Sequence, residues 1–177
     1  VAVSAIGTTH ELAHAPLARL EIDGTFKTVG LPPGRYKVSI NKPGWQLIGL
    51  LAGGVDARTT GFDVGLVDRT DIVLRTSDQE TVLTGVVQRM KQDAPDGATV
   101  LVFPADRTAW PFASKAEVNA EPDGRFEIRY LGPRDYLAVA TAEDVAEDWL
   151  SAENLAKWAS RGTPLTLRLG QTSSITL

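Results

Sequence analysis

Apolar and polar side chains alternate with a period of two over much of this chain, in short runs broken by Gly, Pro and Asp-Gly. The clearest run starts at Gly34, where Tyr36, Val38 and Ile40 alternate with Arg35, Lys37 and Ser39, the pattern of a half-buried strand. Just before it, Phe26, Thr28 or Val29, and Leu31 mark a brief strand opened by Asp23-Gly24. Asp-Gly is a hairpin signal because glycine accepts the positive φ that such turns need. Pro33-Gly34 suits the centre of a type II turn with Gly34 at positive φ. Further strands are predicted over residues 1–5 and 17–22, the apolar run 45–51 reads as strand or buried coil, and 62–66 and 70–74 form a closing hairpin. In the second half they fall at 81–87, 98–103 and 115–119, with 163–169 and 173–177 as a last hairpin. One helix is predicted around 151–160: Ser151 can cap it, Leu155, Trp158 and Ala159 share a face, and Gly162 ends it.

The pattern is written twice. Asp23-Gly24-Thr25-Phe26 and Leu31-Pro32-Pro33-Gly34-Arg35-Tyr36 return one hundred residues later as Asp123-Gly124-Arg125-Phe126 and Leu131-Gly132-Pro133-Arg134-Asp135-Tyr136. Because Gly132-Pro133-Arg134 replaces the proline-glycine, the second corner is expected to use another turn. Ile72-Val73-Leu74 matches Ile175-Thr176-Leu177 at an offset of 103, and Val1-Ala2-Val3 matches Val100-Leu101-Val102. Polar Ser77 to Glu80 reads as a linker. The fold class is therefore all-β, two tandem antiparallel Greek-key sandwiches at 1–77 and 78–177, with one short helix in the second. The strand at 81–87 has no counterpart in the first unit, which looks one strand short at its N-terminus. A sandwich lacking a strand exposes unpaired backbone groups, so Val1 and Val3 are candidate partner-binding residues. The slot would be filled by residues upstream of Val1 or by a strand from another chain.

Composition narrows function by exclusion. With 18 Lys and Arg against 22 Asp and Glu, the chain is acidic (pI about 5.2), which argues against nucleic acid as a partner. The longest apolar run, Leu47-Ile48-Gly49-Leu50-Leu51-Ala52, is far short of the roughly 20 residues of a membrane span. Cysteine is absent, which removes disulfides, catalytic thiols and cysteine zinc sites. The start at Val1 is compatible with processing after export or with a fragment of a longer chain.

The motif running from Asp23 through Pro32-Pro33-Gly34 and Tyr36 to Ile40, with Gly85-Val86-Val87 and Gly97-Ala98-Thr99-Val100-Leu101-Val102-Phe103-Pro104 in the second unit, resembles the carboxypeptidase regulatory-like domain. That family is a seven-stranded sandwich of the transthyretin (prealbumin) type. The resemblance implies an accessory module of a bacterial exported or surface protein, extracellular, cell-surface or periplasmic, rather than a catalyst.

Candidate chemistry is thin. His10-Glu11-Leu12-Ala13-His14 fits H-E-x-x-H, which on a helix puts two imidazoles on one face to hold zinc with the Glu as general base. Pro16 and Gly7 leave room for barely two turns, the repeat places the segment in a loop, and no third histidine exists. An exposed polar loop is the expectation, with a metal-dependent hydrolase as the weakest alternative. The pairs Asp68/Asp71, Glu143/Asp144 and Glu147/Asp148 read as solvated turns or helix caps. Trp45, Trp149 and Trp158 are expected to cover the open ends of the sandwiches. Trp110 stands beside Pro111 and Phe112 in a loop, where Trp110 and Phe112 either stack on a glycan or protein partner or pack inward. The expectation is a non-enzymatic structural or binding module without cofactor or metal, engaging a protein or a glycan through loops and sheet edges. The alternative is a subunit of a homomeric surface assembly joined by strand complementation.

Overall fold

The computed structural model describes residues 18–28, 30–40, 42–88, 97–111, 113–143 and 145–177, together with the backbone of residues 2–5. It is an all-β chain with one short helix, and it divides into two compact units, Val1–Asp78 and Gln79–Leu177.

In unit one the strands are β1 (Ala2–Ala5), β2 (Arg19–Leu20), β3 (Phe26–Lys27), β4 (Gly34–Ser39), β5 (Gln46–Ala52), β6 (Val55–Asp56), β7 (Phe62–Val64) and β8 (Ile72–Ser77). They form sheets in the orders β1-β4-β7 and β6-β5-β8, with β2-β3 as a separate hairpin. The inward residues of the two three-stranded sheets, Tyr36, Val38 and Phe62 against Leu50, meet with Ala57 in one core flanked by Ile72 and Leu74.

Unit two contains β9 (Val82–Val86), β10 (Thr99–Pro104), β11 (Ala116–Asn119), β12 (Arg125–Arg129), β13 (Arg134–Thr141), α1 (Ala152–Ala159), β14 (Thr163–Leu167) and β15 (Thr172–Thr176). Its sheets run β11-β10-β13-β14 and β12-β9-β15. Between them Leu83, Phe126 and Ile128 pack on Val100, Val102, Tyr136, Ala138 and Leu167. Helix α1 adds a third layer. Ser151 caps it by accepting from the Asn154 N–H at 3.2 Å, and Leu155 and Trp158 are its buried residues. They join Trp110 and Trp149 on the outer face of the first sheet, over Leu101, Phe103 and Val139. This is why β10 is buried on both faces and reads as a continuous apolar run.

Several expectations change. The segments 62–66 with 70–74, and 163–169 with 173–177, are not hairpins: β7 pairs with β4 but β8 with β5, and β14 pairs with β13 but β15 with β9. Each connection crosses from one layer to the other, so that both strands turn apolar residues to the same core. Trp149 and Trp158 cover an outer sheet face rather than an open end. The positive φ of the first corner belongs to Gly30 (73°), not Gly34, which opens β4. The second corner is the same construction and uses no different turn. Tyr130 takes the left-handed conformation (φ 63°) at the place of Gly30. The Tyr36 hydroxyl donates to the Pro32 carbonyl at 2.7 Å, and the Tyr136 hydroxyl donates to the Gly132 carbonyl at 2.9 Å.

Candidate functional site

The residues singled out from sequence divide cleanly. His10, Glu11, His14, Val1 and Phe112 lie outside the described residues. Trp110 is a core residue, 6 % exposed, so of the two readings open for it the ring packs inward and is not a stacking surface. Its indole N–H donates to the Pro104 carbonyl at 2.8 Å, its ring meets Phe103 edge-on at 6.3 Å, and Lys115 donates to its carbonyl. A ring so enclosed has no free face for a ligand. The short 3-10 turn Arg107–Ala109 carries it inward, with Asp106 accepting from the Thr108 N–H. Val3 sits in β1 opposite Val38 of β4.

No acid–base constellation forms among the described residues. No group of three or more His, Asp or Glu could hold a metal ion there. Asp71 is held below the usual carboxylate range chiefly by its hydrogen bond from Arg69, and Asp23 and Asp106 by bonds from Thr25 and Thr108. A general acid needs the opposite shift. These carboxylates latch turns. The only large upward shift among the described residues is the Tyr136 phenol, pushed to about 12 by burial, and that hydroxyl is committed to the Gly132 carbonyl.

Unit one leaves one side of β8 without a paired strand among the described residues. In an antiparallel ladder, backbone groups of alternate residues point to opposite sides. The Gly53 N–H donates to Asp71 O, and the Ala57 N–H donates to Leu50 O on the opposite side of β5. Asp71 and Val73 therefore face β5, and the backbone groups of Ile72 and Leu74 face away from it. β8 is the end strand of its sheet, and no strand pairs with its far side among the described residues. On β3 the same logic holds. Glu21 N donates to Thr25 O, and Lys27 stands opposite Arg19, so Phe26 and Thr28 direct their backbone groups away from β2. The Thr28 hydroxyl is buried with no hydrogen-bond partner among the described residues.

Unit two shows what such a position contains. There Leu177 N donates to Val86 O, Val87 N to Gly124 O, and Tyr130 N to Thr81 O. Strand β9 thus runs between β12 and β15, antiparallel to one and parallel to the other. A Cβ on Gly124 would stand 2.5 Å from the Val87 carbonyl oxygen. Gly24 has the same φ of 84°, and a Cβ there would meet nothing within 4 Å. The two turns share that φ, and among the described residues no atom stands beside Gly24 where Val87 stands beside Gly124. Val3, one of the two edge residues expected from sequence, lies in β1, the end strand of the sheet β1-β4-β7. The matching offsets of Phe26 with Phe126 and Ile72 with Ile175 align β3 and β8 with the two strands that flank β9.

No protein-family model matches the chain, and no curated protein matches it. Among solved structures, the minor pilin of the gram-positive pathogen Streptococcus agalactiae is similar at 13% identity, over 99% of this chain and 79% of that one, with a TM-score of 0.40. Likeness at that level says nothing about what either protein does.

Proposed function

We propose that this chain is a non-enzymatic structural and binding module of an exported bacterial protein, built from two carboxypeptidase regulatory-like domains, whose working surface is a sheet edge that takes a protein partner. The observation that carries this is the outward-facing backbone of Ile72 and Leu74 on β8, at a position that in unit two holds a strand. The Asp-Gly turn, the tyrosine-closed corner and the crossing between layers, repeated in both units, support the family assignment. No helix among the described residues is long and apolar enough to cross a membrane.

Sedimentation of the purified chain over a wide concentration range tests the reading. A module that waits for a separate partner stays at the mass of one chain. Open-ended growth with concentration would replace this reading with a homomeric assembly joined through the same edge. Zinc bound one-to-one, with hydrolytic activity lost on chelation, would replace both with the His10/His14 hydrolase.

A further inference from the structure

We infer that the space between β3 and β8 is an acceptor for one extended strand of a separate protein, running antiparallel to β3 and parallel to β8. The inference rests on the module reading and gives its partner a chemistry. The occupant seen in unit two defines that chemistry. Leu83 points inward and is 1 % exposed, the centre of its core. Two residues on, Gly85 lies opposite Phe126, where a Cβ would come within 2.4 Å of the ring and 2.7 Å of the Ile175 carbonyl oxygen. Phe26 occupies the place of Phe126, and Ile72 that of Ile175. A strand that enters unit one therefore needs a branched apolar residue facing the core and a glycine two positions later, under the Phe26 ring. Its backbone would bond Gly24, Phe26 and Thr28 on one side and Ile72 and Leu74 on the other, by the pattern of β9.

A separate protein, rather than a bare strand, is indicated by what surrounds the position. Ile22, in the turn ending at Gly24, is 107 % exposed, and Leu66 and Val67 before β8 are 93 % and 81 % exposed. Their counterparts around the filled position are Pro122, Leu169 and Gly170, and Leu169 is half-buried. Apolar side chains left out at both ends of an open edge give a partner contact area beyond the strand itself.

The test uses a synthetic peptide of residues 80–88 of this chain, added to the whole protein at about millimolar concentration, with amide hydrogen exchange as readout. Exchange at Phe26, Ile72 and Leu74 is expected to slow about tenfold or more, and a peptide with Gly85→Val is expected to give no slowing. Absence of protection both with the peptide and in the fused chain below, or equal protection by both peptides, overturns the acceptor. A second arm fuses a copy of residues 80–99 ahead of Val1. That chain is expected to refuse the free peptide because its position is occupied. Protection seen only with the fused strand assigns the position to the same polypeptide and overturns the separate protein. Concentration-dependent growth in the centrifuge, with the peptide still bound, would overturn the module reading while leaving the acceptor in place.

Discussion

The two units share their local devices and differ in their long-range pairings. Both have the Asp-Gly turn, with Gly24 N and Gly124 N donating to Glu21 O and Glu121 O, and both close the next corner with a tyrosine hydroxyl. These contacts span four residues or fewer, so they persist whatever the rest of the unit does. The centre of the sheet is different. In unit two β9 holds the middle of its sheet and delivers Leu83 to the core. In unit one Phe26 and Leu31 are half-buried where Phe126 and Leu131 are buried. Turns and corners therefore specify the shape of the sandwich, and the non-local strand completes its core.

Deleting the strand's contribution from unit two should show the largest effect. Leu83→Ala removes the side chain at the centre of the core and is expected to destabilise unit two by about 2–5 kcal/mol. Urea denaturation followed residue by residue by amide exchange should show that loss in unit two alone. An equal loss in unit one would end the view that the two cores are independent. Next in size is the glycine pair. At φ of 84° alanine costs about 1–2 kcal/mol from backbone strain at either site. Gly124→Ala also drives a Cβ against the Val87 carbonyl oxygen, adding about 1–3 kcal/mol. Gly24→Ala is expected to lose only the first part. Equal losses would mean that the space beside Gly24 is filled.

The smallest effects belong to what the units have in common. Tyr36→Phe and Tyr136→Phe each remove one hydrogen bond and are expected to cost about 1 kcal/mol apiece, measured as shifts in denaturation midpoint. A large asymmetry between them would break the equivalence of the corners. Tyr136 adds a pH signature, because burial raises its phenol to about 12, above the unfolded value of about 10. The raised value keeps the proton on the folded state, so its stabilisation is complete below about pH 10 and is lost as pH rises toward 12. Alkaline unfolding monitored at the phenolate absorbance should therefore become shallower in Tyr136→Phe.

How much of this was legible in the residues follows the same division. The alternation at Tyr36, Val38 and Ile40, the Asp-Gly turns and the Ser151-capped helix are encoded over a few positions, and the structure has them. The sheet to which a strand belongs is not encoded locally. Thr70 and Phe62 lie close enough in sequence to suggest a hairpin, yet β7 and β8 separate into two layers, because each satisfies its backbone against a strand elsewhere. Trp110 was ambiguous for a related reason. Its neighbours Pro111 and Phe112 mark a loop, but its burial depends on Pro104, Phe103 and the helix side chains Leu155 and Trp158, up to half a unit away. The candidate edge could be inferred as a missing strand but not located, since Val1 and Val3 are nearest in sequence to the gap, while the backbone groups that face away from their paired strands lie on β3 and β8.

The uneven placement of indoles gives the molecule a built-in optical label. Trp110, Trp149 and Trp158 all sit in the layer beneath α1, whereas unit one has only Trp45, half-buried with the Lys42 ammonium 4.0 Å from its ring centre. Enclosed indoles emit further to the blue than wet ones, so the ultraviolet emission of the intact chain is dominated by one layer of one unit. A red shift on heating or in denaturant thus announces that the helix has lifted from its sheet, while opening of the other unit passes nearly unseen.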